Sequence, residues 1–201
     1  MQGQRVVLAT GNPGKLRQFS ELLDASGLEL VRQSDFGIEP PPETGRTFLE
    51  NSLLKARNAA RLTGLPAIAD DSGIEVDALG GRPGLYSARY AGEGASDDQN
   101  LRKMLLELEN VPMANRAARY RSIIVFLVSA DDPAPLVGEG VWEGSIATAP
   151  RGDGGFGYDP IFIPRGDTRT AAELPVDERN DLSHRGQASR AFLTQFSRVR
   201  G

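Results

Sequence analysis

The chain has 201 residues, 39% hydrophobic and 25% charged, an ordinary balance for a globular protein and long enough to bury a substantial core. The absence of cysteine excludes disulfides, zinc-thiolate sites and thiol nucleophiles, and the single histidine, His184, excludes a multi-histidine metal centre. A net charge of −4 without any block of like charge argues against an extended nucleic-acid surface, and no run of about 18 apolar residues is available to span a membrane.

One domain over residues 1–201, built as two lobes, is expected from this length. The start, Met1–Leu8, enters a strand pattern without the long apolar core of a signal peptide, so a cytoplasmic location is expected. Arg5–Thr10 reads as a buried strand because Val6, Val7 and Leu8 follow one another. Thr10–Lys15 is a turn cluster, and Leu16–Ala25 reads as a helix with Leu16, Phe19, Leu22 and Leu23 on one face and Gly27 placed to end it. Leu28–Arg32 is a second strand, and Ser34–Arg46, with Pro40, Pro41 and Pro42, is a loop.

Thr47 opens a second helix that runs to about Thr63 and closes at Gly64. Its apolar face is Leu49, Leu53, Ala56 and Ala60, while Asn51, Lys55 and Asn58 form a polar stripe at helical spacing. Leu65–Ala69 reads as a short strand ending in Asp70-Asp71-Ser72-Gly73, with Ile74–Leu79 a further strand. Ser96 caps a third helix, whose core face is Leu101, Met104, Leu105 and Leu108. Tyr120–Ser129 and Leu136–Ala147 read as two long strands joined around Asp131–Pro133, and a last helix begins near Ser183. Helices mixed with long adjacent strands predict an α/β or α+β fold with a mixed sheet.

Several clusters carry chemical potential, each with a purely structural alternative. Thr10–Lys15 places backbone amides, a helix start and a lysine together, which suits phosphate, although a plain strand-to-helix turn has the same residues. Its spacing is not that of a Walker A loop. Asp70-Asp71-Ser72-Gly73 lies at a strand's end, where successive side chains face opposite ways, so one acid can hold a metal or activate water while the other anchors the turn; a solvated acidic turn is the structural alternative. Thr47 and Glu50 have the spacing of a capping box, and that reading is favoured over Glu50 as a metal ligand. Phe156 and Tyr158 on a glycine frame suit base stacking, but a tight turn with core aromatics is the favoured reading in isolation. Ser183, His184 and Arg185 at a helix start offer hydrogen-bond donors or simply a surface. With thiolates and clustered histidines excluded, any metal rests on carboxylates and substrate oxygens, which points to magnesium or manganese. Of the 23 basic residues only Lys15, Lys55 and Lys103 are lysine, which marks these as positions where a compact, flexible charge is kept.

The order of these clusters is more specific than any one of them. Thr10–Lys15, Thr47–Asn51 with Lys55-Ala56-Arg57, Ala69–Gly73, Gly80–Gly84, Phe156–Asp159 and Ser183–Arg185 together resemble the inosine triphosphate pyrophosphatase family over nearly the whole chain. The resemblance implies hydrolysis of inosine, deoxyinosine and xanthosine triphosphates to the monophosphate and pyrophosphate. It implies an α/β fold with a long mixed central sheet flanked by helices, two lobes with the nucleotide cleft between them, and a homodimer. Thr10, Gly11, Asn12, Pro13, Gly14 and Lys15 would cradle the triphosphate with Lys55. Glu50 and Asp71 would hold magnesium, or manganese in its place, and Asp71 would also activate water. Ser72 would touch substrate; Phe156, Gly157, Tyr158 and Asp159 would enclose base and sugar; His184 and Arg185 would read the base. Arg179 departs from the family, which commonly has lysine there; the charge is kept but the planar guanidinium is larger.

Overall fold

The computed structural model describes residues 4–23 and 27–200. Its strands are β1 (Gln4–Leu8), β2 (Leu28–Arg32), β3 (Ala67–Val76), β4 (Ala117–Leu127), β5 (Leu136–Ile146) and β6 (Phe162–Pro164). They form one sheet in the order β2-β1-β3-β4-β5-β6. β1 runs parallel to β2 and to β3, whereas β6 is antiparallel to β5, so the sheet is mixed as expected. The α-helices are α1 (Pro13–Leu23), α2 (Phe48–Thr63), α3 (Asp97–Glu107), α4 (Val176–Leu182) and α5 (His184–Arg200). No described helix is long and apolar enough to cross a membrane.

The chain divides into two compact units, each assembled from separate stretches of sequence. The first comprises Met1–Asp71, Ser122–Gly140 and Arg185–Gly201. In it, Val6 and Leu8 pack with Phe19, Leu23, Phe126 and Phe192 from α1, β4 and α5, while Val7 and Ala9 pack with Ala56, Ala59 and Ala60 of α2. Successive strand residues face opposite sides. Both sides are covered here, which is why this strand reads as an unbroken apolar run. Gly138 allows α5 to approach β5, because a Cβ there would lie 2.3 Å from the carbonyl oxygen of Ala188. The second unit, Ser72–Arg121 with Val141–His184, has its own core, in which Ile74, Val76, Met104, Trp142 and Phe162 are buried.

Local signals placed most elements well. α2 begins at an N-cap Thr47 whose capping box with Glu50 is complete and ends at Gly64 in the left-handed conformation. Ser96 caps α3 with Gln99 in the same way. α1 begins at Pro13, three residues before the expected start, since proline is pre-set for a first helical turn. The expected extension of this helix through Asp24 and Ala25 lies outside the described residues. α4 has no counterpart among the expected elements. The largest difference concerns Asp70–Gly73: the expected strand break is absent, β3 runs unbroken from Ala67 to Val76, and Asp77–Leu79 is a 3-10 turn. Adjacent acids next to glycine resemble a turn locally, but here each acid meets a cation and can remain inside a strand.

Candidate active site

Asp70 and Asp71 are both buried on β3 and, facing opposite ways, meet different partners. Lys15 Nζ lies 2.9 Å from Asp70 Oδ1 and donates to Oδ2 at 3.0 Å, and Arg185 Nε is 3.6 Å from Oδ2. Asp71 accepts from Lys55 Nζ at 2.9 Å and from Asn51 Nδ2 at 3.1 Å. Lys55 also donates to Glu43 Oε1 at 3.0 Å. All of these residues belong to the first unit.

The surrounding sequence explains the placement. Thr10 Oγ1 accepts from the Asn12 amide, and Asn12 Oδ1 accepts from the amides of Gly14 and Lys15 at 2.8 and 3.1 Å. This closes the exposed turn formed by Gly11, Asn12 and Pro13 and sets Lys15 in the first turn of α1. Asn51 and Lys55 are one helical turn apart and reach Asp71 together. The polar stripe of α2 is therefore a wall of the site and not a solvated face: Asn51 and Lys55 are buried. Gly45 donates to Asn51 Oδ1 at 2.8 Å, and a Cβ at Gly45 would stand 2.6 Å from that oxygen. Only glycine lets the chain lie this close to α2, and Glu43 is carried in with it.

Burial, reinforced by Glu43, raises the Asp71 carboxyl above its ordinary value, although Lys55 and Lys15 oppose this. Burial acts in the same sense on Asp70, but Lys15, Arg185 and Lys55 outweigh it and hold that carboxyl below its ordinary value. Burial also lowers Lys15, with Lys55 and Arg185 adding to the effect and Asp70 only partly offsetting it. Burial would lower Lys55 as well, but Asp71, Asp70 and Glu43 together raise it.

Glu50 is exposed at the start of α2, where its carboxylate accepts from the amides of Thr47 and Arg46. The capping reading is the one the fold realises. The carboxylate joined to Asp71 through Lys55 is Glu43, which the sequence presents only as part of a proline-rich loop. Among the described residues no three of His, Cys, Asp and Glu form a protein-only metal cage. Asp71 and Glu43 are nevertheless a pair of hard oxygen donors around one cation. Magnesium takes one or two carboxylates and completes its shell with water and phosphate, so this donor set fits it.

The second unit carries the remaining residues. Asp159 accepts from the Phe156 amide at 3.1 Å and from the Tyr120 hydroxyl at 3.2 Å. Tyr158 donates its hydroxyl to the Ser87 carbonyl at 2.7 Å and is buried in the core, and burial first, then Tyr90 and Asp97, raises its pKa. Tyr158 is thus a core aromatic, whereas Phe156 is half-buried. The Gly157 amide donates to Asp97 Oδ2 at 2.8 Å, fastening this loop to the start of α3. His184 is buried, its ring stacked on Tyr120 at 4.5 Å and 5°. Arg179, on α4, has a guanidinium nitrogen 2.8 Å from where a Cβ of Gly154 would stand. Ser72 is half-buried on β3, and a Cβ on neighbouring Gly73 would strike the Gly84 carbonyl at 2.2 Å.

The first unit thus pairs two buried acids with two lysines beside the Thr10–Lys15 turn. Residues 6–195 match the Ham1 family, and the chain belongs to that family. It is 56% identical over 190 residues to a dITP/XTP pyrophosphatase of Shigella flexneri, covering 94% of this chain and 96% of that protein. A solved HAM1 protein from Coxiella burnetii superposes with a TM-score of 0.89 at 46% identity, covering 97% of this chain and 99% of the other. A nucleoside-triphosphatase, or dITP/XTP pyrophosphatase, from Mycobacterium abscessus gives a TM-score of 0.76 at 43% identity, over 96% and 100% of the two chains.

Proposed function

We propose that residues 1–201 form one catalytic domain that hydrolyses non-standard purine nucleoside triphosphates to the monophosphate and pyrophosphate, removing them from the nucleotide pool. The observation that carries this is the buried Asp71, held by Lys55 and Asn51 and raised in basicity by burial, in a chain 56% identical to a dITP/XTP pyrophosphatase. Asp71 accepts the proton of the attacking water as the water oxygen bonds to a phosphorus of the α–β anhydride; the bridging bond breaks, and monophosphate and pyrophosphate leave. Thr10–Lys15 and Lys55 receive the phosphates, and Ser72 contacts the substrate.

Lys15, Lys55 and Arg185 are matched by Asp70, Asp71 and Glu43, so the formal charges of the cluster cancel. A triphosphate brings about four negative charges, and phosphoryl transfer depends chiefly on neutralising and positioning them. This charge balance supports a divalent cation, magnesium or manganese, accompanying the substrate and held by Asp71 with Glu43 rather than Glu50. When bound, the metal supplies charge neutralisation at the phosphates.

For the base, the proposal assigns Phe156 to stacking, Gly157, Tyr158 and Asp159 to the loop that encloses base and sugar, and Arg179, His184 and Arg185 to polar contacts. A 6-keto purine accepts from Arg185, whereas the 6-amino group of adenine would leave a buried donor unpaired; guanine shares the 6-keto group, so its rejection rests on its 2-amino group. The proposal also includes a homodimer and a cytoplasmic location, where the nucleotide pool is; sedimentation velocity tests the first. The direct test is to incubate the protein with magnesium and inosine, deoxyinosine, xanthosine, adenosine and guanosine triphosphates in turn. Pyrophosphate released mainly from the first three is expected. Orthophosphate as the product, or no turnover, overturns the reading.

A further inference from the structure

Asp70 has no task in the reaction just described, yet it is the most enclosed charge in the first unit. Its side chain has no exposed surface, both of its oxygens lie within 3.0 Å of Lys15 Nζ, and Arg185 Nε stands 3.6 Å from one of them. Arg185 is held from its other side by Gln18, whose Oε1 accepts from Nη1 at 3.1 Å. Three elements thus converge on one carboxylate: α1 through Lys15 and Gln18, β3 through Asp70, and α5 through Arg185. Asp70 lies inside a continuous strand, so it anchors no turn.

We propose that Asp70 is a positioning residue that fixes Lys15 and Arg185 against one another, so that the cation for the phosphates and the cation for the base are anchored on the same carboxylate. This rests on the functional reading above, in which Lys15 meets phosphate and Arg185 meets the base. A lysine on its flexible stem loses side-chain entropy whenever it is ordered on a ligand. Asp70 orders it beforehand, and an ammonium carries more donors than one carboxylate uses, so Lys15 can hold Asp70 and still donate to phosphate. Arg185 gains the same pre-ordering from Asp70 and Gln18. Affinity and base preference are therefore coupled through a residue that touches no substrate.

Two measurements test this, on full-length protein. Because Lys15, Lys55 and Lys103 are the only lysines, brief treatment with acetic anhydride and peptide mapping reads each separately. Without nucleotide, Asp70→Asn is expected to make Lys15 react about tenfold faster than in wild type, relative to Lys103, as an amine released from its carboxylate does. In metal-free buffer, inosine triphosphate should bind Asp70→Asn about 30-fold more weakly, as when one partner of a buried charge pair is removed. The double variant Lys15→Met/Asp70→Asn should lose much less than the product of the two single losses, because Asp70 acts through Lys15.

A folded Asp70→Asn protein with wild-type labelling and affinity, or losses that multiply, overturns the proposal; so does a lowered Tm with unchanged affinity, the mark of a merely structural role. If Asp70→Asn fails to fold by circular dichroism, Asp70→Glu, which keeps the charge but displaces it, decides by the same two readings. Labelling needs no nucleotide, and inorganic triphosphate replaces the nucleotide as probe if wild type does not bind inosine triphosphate. Failure of the substrate assignment is thereby separated from failure of the Asp70 assignment.

Discussion

Two charged networks in this protein have similar contact distances and very different surroundings. Lys55 meets Asp71 and Glu43 at 2.9 and 3.0 Å, and Arg119 on β4 meets Asp77, Glu143 and Glu75 at 2.8, 3.4 and 3.7 Å. The side chains of Lys55 and Asp71 are 8% and 9% exposed, whereas those of Asp77 and Glu143 are 51% and 36% exposed. Water and salt screen the second network, so each contact there is worth little. In the first, Lys55 and Asp71 have lost nearly all of their solvent while Glu43 keeps 28% of its surface, and removing Lys55 strands Asp71. Contact distance does not rank the two networks; burial does.

The comparison can be broken from its strong end. Asp71→Asn should lower turnover of inosine triphosphate by about 10²–10⁴-fold, the range for loss of a general base, with a near-wild-type circular dichroism spectrum. Retained turnover would remove Asp71 from its role. Lys55→Met leaves Asp71 and Glu43 without their shared cation, and urea unfolding should show a loss of about 3–5 kcal/mol. A loss under about 1 kcal/mol would mean that the buried network is as weakly coupled as a surface one.

Smaller effects are expected where the charges face solvent. Glu50→Ala should cost about 1 kcal/mol through the lost cap and leave the magnesium concentration for half-maximal activity unchanged. A raised magnesium requirement would restore Glu50 as a metal ligand in place of Glu43. Arg119→Met should change stability by no more than about 1 kcal/mol despite its several partners, and should leave turnover untouched. Measuring Lys55→Met and Arg119→Met at low and high salt sharpens the contrast, since the Arg119 network is the more open to screening.

Much of this is legible in the sequence. Thr47, Glu50 and Gly64 set the limits of α2, and Ser96 set the start of α3, because a helix terminus is decided by amides and caps within a few residues. Val6–Leu8 announced a strand covered on both faces, and the order of the short motifs pointed to the family that residues 6–195 match. The opposite facing of Asp70 and Asp71 also followed from strand geometry alone.

What the fold decided is which charges are buried and with whom. Lys55 resembles an ordinary solvated helix lysine, Glu43 an incidental acid after prolines, Tyr158 one of two aromatics in a glycine turn and Asp70 a turn residue. Each takes its role from a partner remote in the chain: Glu43 and Lys55 are 12 residues apart, Lys55 and Asp71 16, Lys15 and Asp70 55, and Tyr158 and Ser87 71. Caps, periodicity and turn residues are short-range and are written in neighbouring residues. Desolvation of a charge depends on everything packed around it, and only the assembled tertiary structure brings those groups together.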